Sequence, residues 1–184
     1  MATIHALPLR ALRRQRRIEV TLLDGTRVVM RPIEPVDKDA LRRGFEDLSA
    51  ESRYRRFMGG VKRLTPPVLA ALTEVDHENH EAWVAYAPYD RGTPGVGVAR
   101  YVRLKDNPMI AEPAVTVIDA YQKRGLGTLM MDVIARDAAA HGITRFRAYV
   151  LAENQPIIKI LRRFGASMKV DEPGVLRADI DLDV

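Results

Sequence analysis

The chain has 184 residues, 47% of them hydrophobic and 29% charged, with a formal net charge of +5. That is enough apolar material for one buried core and too much for a disordered chain. The absence of cysteine excludes a disulfide scaffold, a thiolate zinc site and a cysteine nucleophile.

Five of the 29 Lys and Arg residues (Arg10, Arg13, Arg14, Arg16 and Arg17) stand in the first 17 positions with no acidic residue, and the other 24 balance 24 Asp and Glu. The excess charge therefore belongs to a basic tail over 1–17, expected to be solvated and mobile, or else to touch nucleic acid or an acidic partner. Nucleic-acid binding by the neutral body over 18–184 is not expected. The tail resembles a transit peptide in its arginines but has no long apolar segment of a secretory signal. No apolar run approaches the roughly 20 residues of a membrane span, so no membrane partner and a cytoplasmic location are expected.

From Ile18 the pattern is that of a hairpin: Ile18–Leu22 and Arg27–Arg31 flank Asp24-Gly25, a two-residue turn signal. A helix follows over Asp37–Leu48, with Ala40, Leu41, Phe45 and Leu48 on one face. Ser49 is placed to cap a second helix over Glu51–Met58, and Thr65-Pro66 opens a third. Glu81–Ala87 and Val96–Leu104 read as strands around the Gly/Pro-rich loop Pro88–Gly95, and Gly97 suggests a bulge or a close backbone approach. Ile110–Ile118 is an apolar strand. A helix from about Gly125 to His141 carries Leu126, Leu129, Met130, Val133, Ile134 and Ala138 on one stripe, ending at Gly142. A strand over Thr144–Leu151, a helix over Asn154–Phe164 and two short strands at Ser167–Val170 and Val175–Leu182 complete the chain. Hairpins followed by a strand–helix–strand crossover predict an α/β fold with a mixed sheet flanked by helices.

The stretch from Glu112 to Met130 joins strand, glycine turn and helix start. Free N–H groups and the helix dipole make such a junction an anion cradle suited to a diphosphate. It lacks the Gly-Lys-Ser/Thr ending of a P-loop, and Met130 stands where a dinucleotide fingerprint needs its third glycine.

The form Gln122-x-x-Gly125-x-Gly127 directly after a strand resembles the acetyl-CoA loop of the GNAT acetyltransferases. The element order from Ile18 onward is also theirs. With Leu48-Ser49-Ala50-Glu51-Ser52-Arg53-Tyr54-Arg55-Arg56-Phe57 and Ala111-Glu112, the chain is most similar to the bacterial Pat-type protein lysine acetyltransferases. The resemblance implies a single GNAT domain over 18–184 with a mostly antiparallel sheet and a splayed central strand. It implies acetyl-CoA as co-substrate and no metal. The acceptor would be a protein lysine, such as one on an acyl-CoA synthetase. Some relatives carry a further regulatory domain, for which these 184 residues leave no room.

The resemblance makes Glu112 the general base that takes a proton from the cationic amine. Its apolar neighbours Ala111, Pro113 and Ala114 suggest partial desolvation, which would suit that task; from spacing alone Glu112 reads more readily as an ordinary surface carboxylate at a strand end. Val115, Thr116 and Val117 would offer main-chain partners to the thioester and pantetheine, or be simple core. Gln122, Lys123, Arg124, Gly125, Leu126, Gly127 and Thr128 would form the diphosphate cradle. Asn154 is either a pantetheine contact or a helix N-cap, and Arg163 a ribose-phosphate contact or a surface residue. Many GNAT enzymes have a tyrosine general acid seven residues after this Asn; here the position is Leu161, and the acid is unassigned. That departure leaves a non-catalytic acyl-CoA sensor open beside the enzyme, and a small-molecule amine remains open as the acceptor. His77 and His80, three apart, fit a polar loop near the substrate mouth better than a metal site.

Overall fold

The strands in chain order are β1 (Ile18–Thr21), β2 (Arg27–Pro32), β3 (His80–Tyr86), β4 (Gly97–Arg103), β5 (Ile110–Val117), β6 (Arg145–Leu151), β7 (Ser167–Glu172) and β8 (Val175–Asp181). The α-helices are α1 (Lys38–Glu46), α2 (Ala50–Phe57), α3 (Pro66–Thr73), α4 (Leu126–Ala140) and α5 (Gln155–Arg163). This computed structural model describes residues 17–88 and 95–182. The basic tail short of Arg17 and the loop over 89–94 therefore lie outside the described residues.

One eight-stranded sheet runs β1-β2-β3-β4-β5-β6-β8-β7. Every neighbouring pair is antiparallel except β5 and β6. The expected mixed, mostly antiparallel sheet flanked by helices is thus present. The first hairpin differs in its turn. Gly25 N–H donates to Leu22 O and Leu22 N–H to Thr26 O, so Leu23-Asp24-Gly25 is a three-residue loop. Gly25 supplies the positive φ that such a loop needs at its last position.

The central departure from regular pairing is at β5. Strand β4 pairs it from Ala111 to Val117, but β6 joins only at Ile110 and Ala111. Beyond Ala111 the two strands diverge. The bonds from Leu104 N–H to Ile110 O and from Ile118 N–H to Val96 O set the phase of the ladder. The main-chain groups of Glu112, Ala114 and Thr116 therefore face β4, and those of Pro113, Val115 and Val117 face the gap. Pro113 has no N–H to waste on a side without a partner strand, which is where a sheet tolerates proline.

Helix α4 covers β3, β4 and β5. Every residue of its expected stripe is buried, along with Met131. The close approach expected at Gly97 is real: a Cβ there would lie 2.8 Å from Met130 Sδ and 3.2 Å from Thr116 O. Gly97→Val is therefore expected to lower unfolding free energy by about 1–3 kcal/mol, the usual cost of overpacking, read as a lower urea midpoint. A variant as stable as the parent would contradict this packing.

Candidate active site

The gap between β5 and β6 becomes a groove of about 390 Å³, walled by Val115, Thr116 and Val117 on one side and by Asn154, Ile157 and Ile160 on the other. A second cavity of about 320 Å³ adjoins it and holds Glu112, Tyr149 and Met131. Arg55, Arg56, Val115, Asn154 and Ile157 belong to both, so loop and carboxylate lie at two ends of one depression.

At the loop end, Lys123, Gly125, Gly127 and Thr128 line the groove. Gly125 has φ +89°, a conformation that non-glycine residues adopt at a cost. The bond from Leu129 N–H to Gly125 O, 3.1 Å, closes the first turn of α4. The N–H groups of Leu126, Gly127 and Thr128 ahead of it have no intrahelical acceptor. Leu126 can serve the cradle only through its main chain, since its side chain is buried in the core.

Gln122 also lines the groove, and its side chain stiffens the loop. Its Nε2 donates to Val117 O at 3.0 Å and to Ser52 Oγ at 3.2 Å. Asp119 accepts from Ser49 N–H and from the hydroxyls of Ser49 and Ser52, which docks the N-terminus of α2 on the segment after β5. Ser49 Oγ also accepts from Ser52 N–H, the cap expected of it.

Three expected cofactor residues stand differently. Arg124 turns away: its Nη1 donates to Asp24 Oδ2 at 2.8 Å and its guanidinium lies over the Tyr121 ring. Arg163 is exposed and outside the groove lining. Thr116 pairs through its main chain with Val98, so among the three β5 residues only Val115 and Val117 present main-chain groups to the gap. Val117 O is already engaged by Gln122, which leaves its N–H and both groups of Val115. Asn154 is the cap of α5, its Oδ1 accepting from Ile157 N–H at 3.5 Å, and it also lines the groove.

At the other end, Glu112 is solvent-exposed. The partial desolvation suggested by its sequence neighbours is not met, because its side chain follows the phase of β5 to the open face while Ala111 and Pro113 point inward. Arg56 was missed by sequence reasoning as a site residue, although its motif stood out. Its Nε donates to Thr116 Oγ1 at 3.0 Å, and the guanidinium lies over the Phe57 ring. Burial lowers its pKa and the nearby Glu112 opposes that shift. Tyr149 was also missed; it is the one hydroxyl-bearing residue lining the Glu112 cavity. Its strand position is readable in sequence, but not which cavity that strand faces.

His77 and His80 are built into the sheet end instead of the mouth. His77 Nδ1 lies 2.8 Å from Glu81 Oε1, and Arg100 Nη1 lies 3.0 Å from His80 Nε2. Among the described residues no group of three His, Asp or Glu could hold a metal, and no helix is long and apolar enough to cross a membrane. Burial and then Arg100 push the His80 pKa down to about 4. The unfolded chain takes up this proton below about pH 6.5 and the folded one only near 4, so stability falls as pH drops through that window. His80→Asn is expected to flatten the dependence of the denaturant midpoint on pH between 6.5 and 4; an unchanged slope would contradict the assignment.

A family model described as "Acetyltransferase (GNAT) domain" matches residues 27–167. The chain is 35% identical over 167 residues to the acetyltransferase Pat of Mycolicibacterium smegmatis, covering 90% of this chain and 49% of that protein. An acetyltransferase of Pseudomonas aeruginosa is 30% identical over 135 residues, 73% of this chain and 72% of the relative. The crystal structure of the GNAT domain of S. lividans PAT matches with a TM-score of 0.82 at 32% identity, covering 90% of this chain and 97% of that one. The chain belongs to the GNAT acetyltransferase family. Its similarity runs to the Pat members, and it spans about half the length of the Mycolicibacterium relative.

Proposed function

We propose that this domain transfers the acetyl group of acetyl-CoA to an amine, with the lysine side chain of a protein, such as an acyl-CoA synthetase, as acceptor. The carrying observation is the loss of β5–β6 pairing after Ala111, which leaves a groove with a glycine cradle at one end and Glu112 at the other. Acetyl-CoA would lie along it. Lys123 and the N–H groups of Gly125 to Thr128 would hold the diphosphate. The unpaired main-chain groups of Val115 and Val117, with Asn154, would meet the pantetheine and the thioester. The bound thioester supplies an acyl group already activated for attack by nitrogen.

Glu112 takes the proton of the lysine ammonium, directly or through water. The freed nitrogen attacks the thioester carbonyl carbon; the N–C bond forms and the C–S bond breaks. Tyr149 offers a phenol from which the departing CoA thiolate can take its proton, in a place where Leu161 cannot. The nitrogen releases its second proton through water, which restores the phenol. The exposure of Glu112 favours a protein acceptor over a small enclosed amine. It also favours an enzyme over an acyl-CoA sensor, which needs no carboxylate at the thioester end.

Incubating the protein with labelled acetyl-CoA and host lysate tests this directly. A labelled protein band is the expected result. Label in a small molecule alone would move the acceptor to that class, and CoA binding without label transfer would support the sensor.

A further inference from the structure

Two arginines beside the cavity under α1 and α3 have no carboxylate within ion-pair distance among the described residues, although Glu112 lies near enough to Arg56 to act on its charge. Arg100, from β4, is only 6% exposed. Its Nη1 meets Leu72 O at 3.2 Å and His80 Nε2 at 3.0 Å, both neutral partners. Arg56 donates only its Nε, to Thr116. Neither forms an ion pair among the described residues, and both line one small, mostly apolar cavity of about 70 Å³. Asp37 borders the same cavity, but its oxygens are taken by Arg31, Tyr86 and Glu34 N–H. Burial, and then repulsion from Arg56, push Arg100 down to about 10. Buried guanidinium groups are normally paired with an anion, and their planar fork matches a carboxylate in particular.

We propose that this cavity is a binding site for a small carboxylate, held between Arg56 and Arg100. Its size suits the ligand: about 70 Å³ is several times the roughly 10–15 Å³ that admits one water, enough for a carboxylate and one or two carbons. Its place gives it a role. Leu48, Arg56 and Thr116 belong both to this cavity and to the cofactor groove, and Arg56 and Phe57 also line the Glu112 cavity. A carboxylate here lies beside the reacting centre. It belongs either to the acyl group, as in a dicarboxylic thioester such as succinyl-CoA, or to the protein acceptor, as in an acidic side chain next to the target lysine. That role rests on the acyl-transfer function proposed above; the cavity itself does not.

The test is calorimetric titration of the full chain with succinate and with its neutral isostere succinamide. Wild type is expected to bind succinate at least tenfold more tightly, and both Arg100→Met and the cavity-filling Val98→Phe should abolish the preference. Equal binding of the two, or binding of neither, by wild type overturns the site without reference to any variant. Two further comparisons locate the source. A tenfold preference for succinyl-CoA over butyryl-CoA assigns the carboxylate to the acyl group. A tenfold preference in acetylation for a lysine peptide with a neighbouring glutamate over the same peptide with glutamine assigns it to the acceptor. Succinate binding with neither preference overturns the placement beside the reacting centre. Succinate binding by a protein that ignores acetyl-CoA would instead sink acetyl transfer and leave the carboxylate site standing.

Discussion

Glu112→Gln is expected to lower turnover by about 10²- to 10⁴-fold, the usual contribution of a positioned general base, while acetyl-CoA affinity stays within about twofold. The separation follows from the geometry. Glu112 sits where β5 has just left β6, and makes no hydrogen bond or ion pair among the described residues. Its replacement by the isosteric amide therefore removes a proton acceptor and disturbs no packing. The cofactor cradle lies at the opposite end of the groove, on the N-terminus of α4. Equilibrium binding of acetyl-CoA and steady-state kcat, measured on the same preparations, check both halves. Near-parental turnover would remove Glu112 from the chemistry, and a matched loss of binding would make it a cofactor contact.

Asp37→Ala is expected to be the most destabilising substitution considered, by about 3–5 kcal/mol, because it strands a partly buried arginine. Arg31 bonds both oxygens of Asp37, at 2.8 and 2.7 Å. Tyr86 donates its hydroxyl at 2.5 Å and Glu34 its N–H at 2.8 Å. Burial alone would raise the carboxyl pKa, but these bonds outweigh it and hold Asp37 below its ordinary value of 3.8. The stabilisation is therefore complete above about pH 3.8 and is lost as pH falls through the lower folded value. Chemical denaturation at pH 7 should show the full loss, and the variant should lack the acid-dependent limb contributed by Asp37. A loss under about 1 kcal/mol would mean that Arg31 finds solvent at no cost. The effect reaches function indirectly, since Asp37 fixes the turn that sets α1 against the sheet.

Local signals carried much of the fold. The stripe from Leu126 to Ala138 and the Ser49 cap both act within a few residues of themselves, and each is found in its expected place. The splay was implied only by resemblance, and in the structure its cause is partly local: Pro113 withholds an N–H on the side where β6 departs. What sequence did not reveal depends on partners far along the chain. Alternation on β5 was plain, but its phase is set by pairing with β4, and only that phase removes the Thr116 main chain from the groove and turns Glu112 to solvent. Arg124 reads in sequence as a phosphate ligand, but Asp24, on the first hairpin, pairs with it. Arg56 and Tyr149 come to the site from α2 and β6. Their placement beside Glu112 is a product of topology that neither neighbourhood announces.

The central claim is that acetyl-CoA lies in the β5–β6 gap with its diphosphate on the start of α4. Amide resonances of ¹⁵N-labelled protein titrated with acetyl-CoA test it most directly. The largest shifts are predicted at Gly125, Leu126, Gly127 and Thr128 and at Val115 and Val117, with Thr116 and its β4 partner Val98 moving less. Saturable binding that leaves the Gly125–Thr128 and Val115 amides unmoved would contradict it.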